Sequence, residues 1–177
     1  MKTLKGNIIN LRPLEPEDLQ FLFDTENNEL FWNVSHTQTP FSKFLLKQYI
    51  ENSHLDIFEA KQLRLVIEDK TSMRPIGLID LFDFNPQHFR AGIGILVHEK
   101  YQNKGVASEA IKLLVRYSFT HLNIHQLYAN ISSENKKSLA LFKKHMFKKV
   151  GIKKDWIFLN NRFHDELLFQ RIRKTNE

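Results

Sequence analysis

The chain of 177 residues contains no cysteine, few glycines and prolines, and no long apolar segment. Without cysteine it can form neither a disulfide scaffold nor a thiolate metal site, and it has no cysteine nucleophile. No apolar run approaches the roughly 20 residues that span a bilayer, and the N-terminal residues lack the apolar stretch of a signal peptide. There is no Gly/Ser/Pro-rich linker, low-complexity tract or internal repeat. We therefore expect one domain over residues 1–177, located in the cytoplasm and not in a membrane.

The chain does contain ample material for a core. Apolar residues make up 42% of it and include 15 Phe, which excludes disorder. The net charge of +6 is unevenly distributed. Residues 1–88 hold 9 Lys/Arg and 13 Asp/Glu, whereas residues 89–177 hold 17 Lys/Arg and 7 Asp/Glu. This asymmetry suggests partners of opposite charge on different parts of the surface.

Hydrophobic periodicity predicts alternating strands and helices, which indicates an α/β protein with a mixed sheet and helices on its faces. Residues 25–40 read as irregular. Two glycines in one strand, Gly92 and Gly94, usually mark a bulge or a close backbone approach. The pair Asn160-Asn161 suits a type I′ hairpin turn. The predicted strands are 8–11, 63–68, 75–84, 91–97, 126–131, 147–158 and 162–171, and the predicted helices are 15–24, 42–52, 106–121 and 135–145.

The segment 98–107 lies between a predicted strand end and a helix start. Free backbone N–H groups and the helix dipole favour an anion at such a place. Gly105 permits close approach and Lys104 adds positive charge, so the segment could hold a phosphate group; a plain connecting loop is the alternative. No Gly-Lys-Ser/Thr sequence is present, and Gly92 and Gly94 lie within a strand without a third glycine. These facts disfavour a Walker A loop and a dinucleotide fingerprint.

Five segments resemble the GNAT superfamily of acetyl-CoA-dependent N-acetyltransferases. Residues 102–107 (Gln-Asn-Lys-Gly-Val-Ala) match its Gln/Arg-x-x-Gly-x-Gly/Ala signature. Residues 94–97 resemble its central strand, and residues 134–147 resemble its second motif. Residues 10–18 are similar to the ribosomal-protein N-terminal acetyltransferase branch, and residues 76–85 to spermidine/spermine N-acetyltransferases. The resemblance implies the GNAT fold, with a mostly antiparallel sheet that splays at the central strand near residues 128–131.

The resemblance also implies acetyl-CoA as cosubstrate. The loop amides at 102–107 would hold its pyrophosphate, and residues 95–97 would pair with its pantetheine arm like an added strand. Asn135 would bind pantetheine, cap the following helix, or do both. The expected cofactor contacts are Ile95, Leu96, Val97, Gln102, Asn103, Lys104, Gly105, Val106, Ala107, Asn130, Asn135, Lys137, Ser138, Phe142 and Lys144.

The implied reaction is direct attack of an amine on the thioester in a ternary complex. A backbone N–H at Leu96 or Val97 would stabilise the oxyanion. The tyrosine that protonates the leaving thiolate in the family is replaced here by Phe142, so water, Tyr128 or Ser138 could take over that role. The expected catalytic residues are Leu96, Val97, Asp83 and Tyr128.

Four carboxylates are candidates for binding the acceptor. Asp80 and Asp83 are three residues apart, so they should face opposite sides of an unbulged strand; either could anchor the amine or relay a proton. Glu26 and Glu29 belong to the acidic half, which would attract a cation. A small cationic amine such as a polyamine is the expected acceptor, and a protein N-terminus is the alternative.

The sequence is also compatible with two other functions. Lysine pairs interleaved with aromatic residues at 136–156 could form an RNA-binding surface, although no RNA-binding motif supports it. The loss of the tyrosine could also indicate a CoA-binding protein without turnover.

His121 and His125 straddle a helix end without a third ligand, so we expect no metal site. Apolar residues of the last hairpin could join a homodimer or larger homo-oligomer, or lie in the core: Trp156, Phe158, Phe163, Leu167 and Phe169.

Overall fold

A computed structural model describes residues 2–35 and 37–174. Its strands form one seven-stranded sheet in the order β1-β2-β3-β4-β5-β7-β6. Only the β4–β5 pair is parallel. The strands are β1 (Ile9–Arg12), β2 (Leu63–Asp69), β3 (Pro75–Asn85), β4 (Arg90–Val97), β5 (Gln126–Ser132), β6 (Lys148–Leu159) and β7 (Arg162–Ile172). The α-helices are α1 (Leu19–Glu26), α2 (Glu29–Ser35), α3 (Lys43–Glu51), α4 (Ile57–Ala60), α5 (Val106–Thr120) and α6 (Lys136–Lys144).

Helices cover both faces of the sheet, as predicted, because β3 carries apolar side chains on both faces. Ile79 and Leu81 pack into the core with Leu114 of α5. Leu78 packs on the opposite face with Leu22 of α1. Each large aliphatic side chain buried in this way contributes about 1.5–3 kcal/mol.

The sequence prediction missed two short helices. Helix α2 lies within residues 25–40, which we expected to be irregular (His36 lies outside the described residues). It is nucleated by Asn28, whose side chain accepts from the backbone N–H of Leu30 at 3.1 Å. Helix α4 is one turn long, and Asp56 caps it by accepting from the N–H groups of Phe58 and Glu59. Both helices are too short to show a helical repeat of apolar residues, so local capping is what reveals them.

The sheet splays at the predicted place. β4 pairs with β5 only at residues 90–92, which face residues 126–128. Beyond Gly92 the two strands separate. The pairing of β4 with β3 is regular at Gly94 and shifts between Phe82, which is the partner of Gly92, and Asn85, so the irregularity of the ladder begins beside Gly92. Close approach applies at Gly92 as well: a Cβ at this position would lie 2.3 Å from the Phe82 ring.

The terminal hairpin also forms as predicted. Asn160 and Asn161 both have positive φ, at 52° and 61°, as a type I′ turn requires. Its apolar residues divide into two groups. Phe169 is buried and Leu167 packs against the core, whereas three aromatic side chains are more than half exposed: Trp156, Phe158 and Phe163.

Within residues 2–35 and 37–174, no helix combines the length and apolar character needed to cross a membrane. The cytoplasmic location stays a prediction.

Candidate active site

Two cavities meet where β4 separates from β5. One, of about 480 Å³, is called here the acceptor cavity, and the other, of about 520 Å³, the cofactor cavity. Both are lined by Ile95 and Leu96 of β4 and by Asn135 and Ser138 at the start of α6. The opening of the sheet therefore forms one continuous cleft with two chambers.

The loop between β4 and α5 forms the outer wall of the cofactor cavity. Gly105 has φ = 83°, a left-handed conformation that glycine adopts without strain. Its carbonyl accepts the N–H of Glu109, so the N–H groups of residues 106–108 precede the first intrahelical bond. Gly105, Ala107 and Ser108 line the cavity. Free amides, the helix dipole and a glycine together make this loop suitable for a diphosphate.

Gln102 fixes this loop to the central strand. Its side-chain amide donates to the carbonyl of Val97 at 3.0 Å, and its Oε1 accepts from Lys137 Nζ at 3.2 Å. Asn103 and Lys137 line the cofactor cavity as well. The signature glutamine thus joins β4, the loop and α6 around one chamber.

Three predicted cofactor residues contribute differently from the rest. The side chain of Val106 is buried in the core, so this residue offers only its backbone to the cavity. Lys104 is exposed and lies over the Tyr101 ring, and Lys144 is also exposed. Neither lysine lines a cavity, which leaves long-range attraction of an anion as their contribution.

The backbone of β4 directs alternate N–H groups into the gap. His98 donates its N–H to Ile76 on β3 at 3.0 Å. Because backbone groups alternate along an antiparallel strand, the N–H of Leu96 also points towards β3, while the N–H of Val97 points towards the gap. Of the two N–H groups expected to hold an oxyanion, that of Val97 has the suitable direction, and Leu96 lines the cleft with its side chain.

Helix α6 forms the inner wall. Asn135 caps it by accepting from the N–H of Ser138 at 3.0 Å while also lining both cavities. Phe142 lines the acceptor cavity and packs edge-on against Phe147, with ring centroids 5.0 Å apart. Ser138 and Phe142 are one helical turn apart, so they face the cleft together.

An ion-paired triad lines the acceptor cavity. Arg64 Nε and Nη2 donate to the two carboxylate oxygens of Asp80 at 2.9 and 3.2 Å, and Nη1 donates to Oε1 of Glu26 at 2.5 Å. Burial alone would lower the pKa of Arg64, but Asp80, Tyr49 and Glu26 outweigh it and raise that pKa. Asp80 therefore has both oxygens engaged, whereas Oε2 of Glu26 makes no hydrogen bond within the described part of the chain.

A second ion pair lies across the acceptor cavity. Lys153 Nζ donates to Oε2 of Glu166 at 2.7 Å and to Asn130 Oδ1 at 3.1 Å. It also lies 5.1 Å from the centre of the Trp156 ring. Asn130 and Phe142 were both predicted on the cofactor side but line only the acceptor cavity. Sequence reasoning missed Arg64, Lys153, Trp156 and Glu166; the inward alternation of β7 could have indicated Glu166.

Two predicted catalytic residues contact each other outside the cleft. The Tyr128 hydroxyl donates to Asp83 Oδ2 at 3.1 Å, and neither residue lines a cavity. Asp83 has φ = 48°, and the register shift beside it turns its side chain towards Tyr128, which shares a sheet face with Asn130. The expectation that Asp80 and Asp83 face opposite sides held for an unbulged strand, and the register shift between Phe82 and Asn85 removes that condition. Glu29, predicted to bind the acceptor, is exposed and also lies off both cavities.

Comparisons with known proteins agree with this geometry. The family model described as "Acetyltransferase (GNAT) domain" matches residues 9–148. The spermidine N(1)-acetyltransferase of Escherichia coli (strain K12) is 30% identical over 162 residues, covering 90% of this chain and 83% of that protein. The enzyme of the same name from Vibrio cholerae is 31% identical over 157 residues, covering 89% and 88%.

Solved structures show the same fold. The spermidine N-acetyltransferase of Vibrio cholerae in complex with CoA and spermine superposes with a TM-score of 0.86 at 28% identity, covering 94% of this chain and 96% of that one. A dodecameric structure of that enzyme has a TM-score of 0.79 at 30% identity, with coverages of 94% and 95%. The mixed, mostly antiparallel sheet and the splayed central strand are those of the predicted fold. The chain belongs to the GNAT family of N-acetyltransferases, which use acetyl-CoA.

Proposed function

We propose that this enzyme acetylates a primary amine of a small polycation, such as a polyamine. The observation that carries the proposal is the open carboxylate oxygen of Glu26 beside the Arg64–Asp80 pair. This oxygen is free to accept a hydrogen bond from an ammonium group in the acceptor cavity. The named relatives that act on spermidine support the same acceptor class.

The charge of the acceptor cavity is consistent with a cationic ligand. Its charged lining residues are three acids (Glu26, Asp80 and Glu166) and two bases (Arg64 and Lys153). The excess of negative charge attracts a cation. The charged lining residues of the cofactor cavity are one acid, Glu99, and one base, Lys137, so its free loop amides are what suits the polyanionic cosubstrate. The two chambers therefore favour ligands of opposite charge that meet at β4.

Acetyl-CoA supplies the acetyl group as a thioester. The attacking amine must first lose a proton, since the pKa of a free primary amine is about 10. Asp80 is a poor base because Arg64 occupies both of its oxygens, so in this proposal the amine releases its proton to water. We assign Glu26 the anchoring of the acceptor and the N–H of Val97 the stabilisation of the developing oxyanion. Residues 95–97 hold the pantetheine arm, and binding in one cleft supplies orientation.

Stabilisation of the leaving thiolate falls to Ser138 in this proposal, and water supplies the proton. Phe142 occupies the tyrosine position of the family and has no proton to give. Burial and Asp83 raise the pKa of Tyr128 to about 12, and its hydroxyl lies off the cleft. Ser138 lines both cavities one turn from Phe142, so its hydroxyl is well placed to donate a hydrogen bond to the thiolate, which takes its proton from water.

A thiol-release assay with acetyl-CoA tests the acceptor class. The panel contains spermidine, spermine, an aminoglycoside, free amino acids and peptides with ribosomal-protein N-termini. We expect the highest kcat/KM with the polyamines, and a roughly tenfold rise in polyamine KM for Glu26→Gln with little change in the KM for acetyl-CoA. Glu29→Gln is the matched control. Preference for the peptides would instead identify an N-terminal acetyltransferase, and no release with any acceptor would contradict turnover.

We also propose that the enzyme self-associates through the terminal hairpin. Trp156, Phe158 and Phe163 are 62%, 60% and 61% exposed on β6 and β7, and β6 is an edge strand of the sheet. A second copy of the chain would bury both features. Sedimentation velocity should show an oligomer for wild type, a smaller species for Phe158→Lys/Phe163→Lys, and no change for Phe44→Lys on α3. A monomeric wild type would overturn this proposal.

A further inference from the structure

A serine and a histidine form a hydrogen-bonded pair behind the diphosphate loop. Ser108 Oγ and His145 Nε2 are 2.9 Å apart. Ser108 lies in the first turn of α5 and lines the cofactor cavity, next to the free N–H groups of residues 106–108. His145 follows α6 and is half-buried. Neither side chain has a part in the acetyl-transfer chemistry described above.

The position of Ser108 makes it a candidate anion contact. An anion held by the amides at the start of α5 lies within reach of a side chain in that same turn. A serine hydroxyl can donate to such an anion while accepting from a second donor. His145 supplies that second donor when Nε2 carries a proton. We propose that Ser108 contacts the diphosphate of CoA and that His145, which orients this hydroxyl, takes up a proton when CoA binds.

The surroundings of His145 make its proton sensitive to an anion. Three cations face it from the elements that pack around it: Lys112 of α5, Lys144 of α6 and Arg171 of β7. Burial, followed by these three charges, lowers the pKa of His145 and favours the neutral ring in the free enzyme. A bound diphosphate offsets the repulsion and favours the protonated ring, whose Nε2 then donates to Ser108.

The sign of the pH dependence follows from this coupling. CoA binding raises the proton affinity of His145, so by linkage a protonated His145 binds CoA more tightly. Affinity should be high at acidic pH and should fall as the pH rises through the histidine range of about 5 to 8. Histidine is well suited to such a response because its titration range lies near neutrality.

Titration calorimetry with dephospho-CoA tests the proposal. This ligand keeps the diphosphate but lacks the 3′-phosphate, which titrates in the same pH range. For wild type we expect Kd to rise about five- to tenfold across the histidine range, and net proton uptake when buffers of different ionisation enthalpy are compared. Ser108→Ala should weaken binding by roughly tenfold and remove most of the pH dependence.

Two substitutions of His145 separate its charge from its hydrogen bond. His145→Gln retains an N–H near the Nε2 position but cannot take up a proton, so it should bind like wild type at high pH and show no pH dependence. His145→Leu should bind more weakly than His145→Gln at every pH. His125→Gln is the control, since this exposed histidine lies off both cavities. A wild-type pH dependence in His145→Gln, or equal affinities for the Gln and Leu variants, would overturn the proposal.

Discussion

Arg64 donates hydrogen bonds to both carboxylate oxygens of Asp80, from Nε at 2.9 Å and from Nη2 at 3.2 Å. Asp80→Asn removes the charge that compensates a largely buried guanidinium. We expect the free energy of unfolding to fall by about 1.5–3 kcal/mol and the acceptor KM to rise, because Arg64 then also competes for Oε2 of Glu26. Urea denaturation and acceptor kinetics measure the two effects. The exposed Glu17→Gln should stay within about 0.5 kcal/mol of wild type; an Asp80→Asn variant equally close to wild type would show that the pair is dispensable.

Phe142→Tyr restores a phenolic hydroxyl next to the site of thioester cleavage. We expect kcat to rise roughly tenfold, less than the about 10²–10⁴ of full general acid catalysis because Ser138 already supplies part of the effect. Accordingly, Ser138→Ala should lower kcat in the wild type but not in the Phe142→Tyr background. Steady-state kinetics of the four proteins provide the test. An unchanged kcat in Phe142→Tyr would mean that departure of the thiolate does not limit turnover.

Gly92→Ala places a methyl group 2.3 Å from the Phe82 ring, so the two groups clash. Overpacking of this kind costs about 1–3 kcal/mol, and chemical denaturation should show a loss of that size. Phe82→Leu in the same chain should recover part of it. At Gly151 the nearest atom is 3.7 Å away, so Gly151→Ala should leave stability almost unchanged. Equal losses at the two glycines would contradict the close-approach explanation.

Asp18, in the N-terminal segment, makes the stability of the fold sensitive to acid. Burial raises its pKa, but hydrogen bonds from Arg12 at 2.6 and 2.9 Å and from the N–H of Glu15 outweigh burial and lower the pKa below its usual value. Because the folded pKa is depressed, the stabilisation is present above the unfolded pKa of about 3.9. It is lost as the pH falls through the folded value.

Asp18→Asn should therefore reduce stability at neutral pH and flatten the acid limb of the stability curve. Urea denaturation at a series of pH values measures both changes. Glu59→Gln, at an exposed position, serves as the control. If the Asn variant keeps the wild-type slope below about pH 4, other carboxylates govern acid unfolding.

The cofactor side of the site could be predicted from the sequence because its determinants are local. Gln102 and Gly105 lie three residues apart, between a strand and a helix that periodicity identifies. The cap at Asn135 is readable for the same reason, since the residues it serves follow it directly in the chain. The turn at Asn160-Asn161 likewise depends only on residues that tolerate positive φ.

The acceptor side could not be predicted in the same way. Glu26, Arg64, Asp80 and Glu166 come from four elements that are distant in sequence, and no local pattern indicates that they share a cavity. The positive φ of Asp83 is a tertiary outcome that alternation along a strand does not anticipate. Arg64 is an example. In the sequence it is a single charge in an apolar strand, whereas in the structure it pairs with two of the acids that line the acceptor cavity.

The short contact between β4 and β5 has a mechanical consequence. Only three residue pairs join these strands in the described part of the chain. The sheet therefore consists of a four-stranded part (β1 to β4) and a three-stranded part (β5, β7 and β6) with a short connection between them. A pantetheine arm lying in the opening would bridge the two parts along their free edges. In the proposed binding mode the cosubstrate would act as an eighth strand, and each catalytic cycle would form and break part of the sheet.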